Sequence, residues 1–345
     1  MKSKMSKVIL ASSIVALFPS YLLSFNAYSA KFTNNQTTMY ISTTSYPQGT
    51  WMDAALQRAM SKWTNVKGSS FTFHVGRDTD GTHNRYNGKN EIYTGNTSEF
   101  TSTETTLAYA TLDHRNGVIY ESDIAFNPYV TWIDFNGAWC KASVAQPDNE
   151  AYFEGIALHE LGHVLGLDHE NDVLATMNSK HPNAGPVGHT NIWEVHGDDR
   201  NGIRYKYPDS SHETDIVASK YFRTGQGTSD VASALYPSPT YLWRGQTYSI
   251  PYTTENLSTT TQSYSVSFYL STDPYIRPYD IYLTTTNVTN VGKGTAITKT
   301  ASITIPTNIS AGTYYLGYII DPSNQISETS KGNNYITLHN QRYIK

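Results

Sequence analysis

From Trp51 to Trp63 the apolar residues Met52, Ala55, Leu56, Ala59, Met60 and Trp63 recur at three- and four-residue steps, the stripe of an amphipathic helix. Behind it, Ser70 to Val75 alternates as a strand, and Glu91 to Thr94, Leu107 to Thr111 and Gly117 to Asn127 supply more β-type sequence. A second helical stripe runs through Phe153, Ile156, Ala157, Leu161 and Leu165, with Asp148 as a plausible N-cap and Gly166 as the residue that permits termination. Helices interleaved with strands predict a mixed α and β domain in which the helices pack on a sheet. The pattern changes near Tyr207, where Pro208-Asp209-Ser210-Ser211-His212 is polar and turn-prone, and no long helical stripe follows. Thr247 to Thr253, Tyr264 to Leu270, Ile297 to Ile305, Thr313 to Ile320 and Asn334 to His339 are short β-rich runs separated by turn residues, the spacing of an antiparallel sandwich. The expected organisation is residues 30–207 as one domain, 208–214 as a linker and 215–345 as the sandwich.

Residues 1–29 have a separate logic. Lys2, Lys4 and Lys7 precede an apolar run from Val8 to Phe18, and Ala27-Tyr28-Ser29-Ala30 follows, which is the pattern of a cleaved secretory signal peptide. Small Ala27 at the −3 position favours cleavage after Ser29. Pro19 and Ser20 break the apolar run short of the ~20 residues a membrane span requires, so the expected product is secreted and carries no span after cleavage. Cys140 is the single cysteine, which excludes an intramolecular disulfide, and no role is assigned to it. A net charge of −4 without long like-charge runs points away from nucleic acid as a partner.

The chemistry is concentrated in His159-Glu160-Leu161-Gly162-His163-Val164-Leu165-Gly166-Leu167-Asp168-His169. Helical residues four apart are rotated by about 40° and lifted by about 6 Å, so His159 and His163 share a face and can share a metal. Glu160 follows the first of them, as in zinc peptidases where this carboxylate is the base. Along a continuous helix His169 would lie about 15 Å from His159, too far for ~2 Å metal bonds, so the helix must break between them. Gly166 sits in that interval and can adopt positive φ without steric cost. Three imidazoles leave a fourth coordination position open, the mark of a catalytic rather than a structural zinc. By average residue usage, chance produces such a pattern in a chain this long with a probability on the order of 10⁻⁵ to 10⁻⁴.

These residues resemble the extended zinc motif of metzincins, and Met177, eight positions after His169 in Ala175-Thr176-Met177-Asn178, resembles the methionine turn beneath the zinc. The short interval is similar to that of matrixins, and Ser179 stands where astacins and serralysins have a tyrosine. Asp198-Asp199-Arg200-Asn201-Gly202-Ile203 resembles the terminal matrixin helix, in which an aspartate supports the methionine-turn region. Leu107-Ala108-Tyr109-Ala110 and Ser122 to Asn127 resemble the strands bordering the substrate cleft. The resemblance implies a metzincin catalytic domain of α+β fold, one catalytic Zn²⁺ held by His159, His163 and His169, Glu160 as general base toward zinc-activated water, and Gly166 and Met177 in supporting positions. It implies a zinc metalloendopeptidase acting on protein or peptide substrates. Matrixin histidines for a second zinc fall at Tyr109 and Ala125, which cannot replace them, and Glu170 departs from the serine common there. His74, Asp78 and His83 keep only part of that spacing. Asp78-Thr79-Asp80-Gly81 offers oxygen ligands to Ca²⁺ without a full set. No cysteine lies ahead of the first helix to hold the zinc latent. Ser271-Thr272-Asp273, Tyr315-Leu316-Gly317-Tyr318 and Asp321 through Glu328 to Asn333-Asn334 resemble the CARDB module of bacterial adhesion-type proteins, which implies an all-β immunoglobulin-like sandwich with a surface protein or glycan as its partner. The competing reading is a surface-binding protein whose zinc domain is inactive.

Overall fold

The computed structural model describes residues 25–79, 86–103, 106–134, 150–179, 194–219, 221–223, 232–234, 241–338 and 341–345. Its N-terminal part contains β1 (Gln36–Ser42), α1 (Trp51–Thr64), β2 (Thr72–Asp78), β3 (Asn90–Thr94), β4 (Ala108–Ala110), β5 (Asp113–Arg115), β6 (Val118–Glu121), β7 (Ile124–Phe126), β8 (Thr131–Ile133), β9 (Glu150–Tyr152), α2 (Phe153–Val164) and α3 (Gly197–Lys206). A five-stranded sheet runs in the order β2-β1-β3-β7-β4, parallel except for the antiparallel edge strand β4. Thr50 caps α1 by accepting the Asp53 N–H, and the predicted stripe, Ala55 to Trp63, is the face it buries. That face meets α2, where the Trp63 indole donates to the Leu158 carbonyl at 2.9 Å. Arg58 and Lys62 both reach Glu154 in the first turn of α2, each at 2.6 Å.

Packing from two directions explains why α2 is buried on nearly every side, with only His163 partly exposed. The expected start near Asp148 is corrected here. Asp148 itself lies outside the described residues, and α2 begins at Phe153 because the chain just before it is extended and pairs with β8 as β9. The predicted stretch from Gly117 to Asn127 is two strands, since Ser122 and Asp123 leave the ladder between β6 and β7. Cys140 lies outside the described residues.

The C-terminal part is all β: β10 (Ile216–Ser219), β11 (Tyr221–Arg223), β12 (Ala232–Ala234), β13 (Tyr241–Leu242), β14 (Thr247–Asn256), β15 (Gln262–Ser271), β16 (Ile281–Val291), β17 (Thr295–Thr304), β18 (Gly312–Ile320), β19 (Tyr335–Thr337) and β20 (Arg342–Ile344). One sheet has the order β10-β14-β17; a larger one runs β13-β20-β18-β15-β16, with β19 also on β18. Ile250, Tyr252 and Ile303 from the first share a core with Val266, Phe268, Leu316 and Tyr318 from the second. The Tyr252 ring lies 5.1 Å from Phe268 and 5.7 Å from Tyr318. Strand β16 escaped the sequence reading because it is a Thr-rich edge strand, half-exposed, whose apolar contrast is too weak to register. Among the described residues, no helix is long and apolar enough to cross a membrane.

Candidate metal centre

The histidine pair at i and i+4 on α2 is brought to a third by a sharp reversal of the chain. Leu165 caps α2, and Gly166 follows at φ +82°, a conformation that costs any other residue Cβ strain. Leu167 N–H returns to the Gly162 carbonyl at 3.0 Å, turning His169 back over the helix. His169 Nε2 then lies 3.2 Å from His159 Nε2 and 3.2 Å from His163 Nε2. This is the single His/Cys/Asp/Glu cluster of metal-holding geometry among the described residues.

Tautomer decides whether such a cluster can bind a cation. His159 Nδ1 donates to the Thr176 carbonyl at 2.8 Å and His163 Nδ1 to the Leu167 carbonyl at 2.9 Å. With those protons committed outward, the Nε2 lone pairs point inward, the arrangement a metal site requires. Tetrahedral zinc with ~2.0–2.1 Å bonds places neighbouring ligands about 3.3 Å apart, which the observed separations fit. Burial, together with the charge of a neighbouring imidazole at His163, holds the pKa values of His163 and His169 below the ordinary histidine value, so both favour the neutral, ligating form.

Glu160 is buried beside the pair. Burial pushes its carboxyl up to about 8, while the Ala110 backbone N–H on edge strand β4 works in the opposite direction. Met177 lies under the helix, so close that a Cβ on Gly162 would meet its Sδ at 2.2 Å. Asp199 holds this turn: its carboxylate accepts the Thr176 N–H at 2.5 Å and the Met177 N–H at 3.0 Å. Asp198, also buried, sits in the first turn of α3. Glu170 N–H bonds the Met177 carbonyl at 2.9 Å, and Ser179 is tied to Asn171.

Residues 25–29, within the segment read as a signal peptide, lie against the same loop. Asn26 Nδ2 donates to the His169 carbonyl at 2.9 Å, the Asp168 N–H donates to the Asn26 carbonyl at 2.9 Å, and the Tyr28 N–H donates to the Gly166 carbonyl at 2.9 Å. At the positions where matrixins hold a second zinc, Tyr109 and Ala125 face each other across β4 and β7, and the Tyr93 and Tyr109 hydroxyls donate to Glu99 at 2.7 and 2.9 Å. His74 meets Gln36, and Asp78 lies 3.4 Å from Lys89. His83, Asp80 and Gly81, named for the second-zinc and calcium readings, lie outside the described residues.

Sequence reasoning missed Thr176 and Leu167 as the partners of the His159 and His163 imidazoles, and the Ala110 N–H near Glu160. All three act through backbone atoms, which leave no side-chain signature.

Comparison with known proteins gives a family match for each part of the chain. A family model described as CARDB matches residues 231–338. Among solved structures, the CARDB domain of a Pyrococcus furiosus protein in complex with di-metal ions is 14% identical over 39% of this chain and 90% of that chain, at a TM-score of 0.26. A β-glucosidase from Listeria innocua is 15% identical over 40% of this chain and 17% of that chain, at a TM-score of 0.23. At such scores neither likeness carries an argument. No curated protein matches the chain. A family model described as matrixin matches residues 31–208, more than half of the 345-residue chain, and by that match the protein belongs to the matrixin family.

Proposed function

We propose that the chain is a secreted zinc-dependent endopeptidase with a metzincin-type catalytic domain, in which His159, His163 and His169 hold the metal and Glu160 is the general base. The observation that carries this reading is the convergence of three Nε2 atoms, with the ligating tautomer of His159 and His163 fixed by their Nδ1 partners and a buried carboxylate one residue from the first of them. Zinc held there supplies a Lewis acid that lowers the pKa of water toward ~7 and stabilises negative charge on the scissile carbonyl oxygen. A cation beside Glu160 would offset the burial that raises its pKa and favour the carboxylate, which would take the proton of the attacking water and return it to the leaving amine, so one side chain serves as base and then as acid. Gly166 gives the turn that delivers His169, and Met177 supports the helix from below.

The C-terminal part is proposed to be an immunoglobulin-like sandwich that attaches the enzyme to a surface protein or glycan. Secretion is proposed from the pattern of residues 1–29; N-terminal sequencing of the exported chain determines whether Asn26 stays with the His169 loop. The decisive experiment is digestion of an unstructured protein by the exported form, with and without a zinc chelator, beside Glu160→Ala. Chelator-sensitive cleavage, abolished in a variant that still binds zinc, is the expected result. Equal cleavage by wild type and variant overturns the role of Glu160, and no cleavage by zinc-loaded wild type favours the inactive-domain reading.

A further inference from the structure

We infer that the C-terminal β part is an integral support of the metal-ligand shell, and that Glu255 is the positioning residue through which it acts. This inference rests on the zinc reading for the three histidines.

Glu255 is on β14, outside the matrixin match, yet its carboxylate is almost fully buried against the start of α3. It accepts the Gly197 N–H at 2.6 Å and lies 3.0 Å from His196 Nδ1. His196 is the N-cap residue of α3 and offers no side-chain cap of its own, so Glu255 supplies from another part of the chain the acceptor and negative charge that a helix N-terminus favours. The His196 N–H in turn donates to Thr176 Oγ1 at 3.1 Å. The Thr176 carbonyl receives His159 Nδ1 at 2.8 Å. Three hydrogen bonds and two residues therefore separate Glu255 from the first metal ligand. Asp199, in the first turn of α3, adds a second tie from the same helix to Thr176 and Met177.

The rest of the contact prevents α3 from shifting as a loose element would. Arg204 donates to the Leu257 carbonyl at 2.9 Å and the Ser258 carbonyl at 3.2 Å, and Asn201 Nδ2 donates to the Lys293 carbonyl at 3.0 Å. Gly197 and Gly294 meet backbone to backbone: a Cβ on Gly197 would stand 2.8 Å from the Gly294 carbonyl carbon. Partners behind a metal-binding histidine set ring orientation and ligand basicity, and their loss weakens metal affinity by roughly 10–100-fold. Glu255 is further out, and its removal shifts affinity toward the low end of that range.

The test uses the full chain and zinc itself, read by competition with a chromophoric chelator. Glu255→Ala raises the zinc Kd about tenfold, and Glu255→Gln, which keeps an oxygen for Gly197 and His196, recovers most of that loss. The control is Val266→Ala, in the core of the C-terminal part away from α3, which lowers Tm and leaves the zinc Kd as in wild type. In peptide hydrolysis at saturating zinc, Glu255→Ala lowers kcat more than it raises KM. A zinc Kd for Glu255→Ala equal to wild type overturns the inference and makes the C-terminal part a tether only. Where Glu255→Ala does not fold, Glu255→Asp decides, because its shorter side chain draws the carboxylate back from Gly197 and His196: a Kd raised by a few-fold supports the inference and an unchanged Kd overturns it. Wild type that binds no zinc overturns the metal reading beneath it, a failure seen before any variant is compared.

Discussion

Glu160 and Asp199 are both buried carboxylates, and they do opposite things. Asp199 is spent on structure: the backbone N–H groups of Thr176 and Met177 end on it. Burial raises its pKa, with the His196 charge and those N–H groups acting the other way. Replacing it by Ala leaves two buried donors without an acceptor, at about 1–3 kcal/mol each, so Asp199→Ala should lose several kcal/mol in denaturant unfolding. Glu160 has the Ala110 N–H for company and faces the cluster from an otherwise apolar helix environment. Glu160→Gln, nearly isosteric, should keep zinc stoichiometry while kcat/KM drops by roughly 10²–10⁴. A variant that loses zinc together with activity would count against the base assignment.

At the scale of elements, the α2 to His169 segment works because one glycine allows close packing and another allows a reversal. Gly162 leaves room for Met177, and Gly162→Ala should overpack the site at a cost of about 1–3 kcal/mol. Gly166→Ala meets two obstacles. Its φ of +82° costs an alanine about 1–2 kcal/mol. In addition, its Cβ would stand 2.8 Å from the Ala30 carbonyl oxygen. The expected result is a Tm several degrees lower and a weaker zinc Kd, because the residue displaced with the turn is His169. A Gly166→Ala protein with unchanged Tm would show that the reversal does not need positive φ.

At the scale of the whole molecule, two parts of the chain are joined by a buried charge pair. Burial works against the His196 imidazolium, but the Glu255 charge and hydrogen bond outweigh it and raise its pKa; Asp199 and Glu194 add in the same direction. Burial also works against the Glu255 carboxylate, and His196 outweighs it, bringing its pKa below the ordinary value. The raised histidine contributes stability that is full below its unfolded pKa of about 6.5 and lost as pH rises through the folded value. The depressed glutamate contributes stability present above about 4.5 and lost as pH falls through its folded value. The joint is therefore strongest between these limits. Tm measured from pH 6 to 9 should decline more steeply for wild type than for His196→Gln, and equal slopes would remove the pair from the stability of the joint.

The sequence by itself determined what is local. The apolar stripe of α1 fixed its buried face, the four-residue step set His159 and His163 on one side of α2, and Gly166 marked the break that His169 requires. These follow from helical period and from the φ freedom of one residue, and both are properties of adjacent positions. The β-runs of the C-terminal part were legible wherever alternation was strong, and β16 was not, because its exposed edge dilutes the alternation. Only the tertiary structure decided the start of α2, which a strand pairing with β8 delays to Phe153. It also decided which carbonyls orient the His159 and His163 imidazoles, and that Glu255, 96 positions beyond His159, is linked to His159 through His196 and Thr176. Contacts of that kind depend on how distant segments pack, and no spacing along the chain encodes a partner that far away.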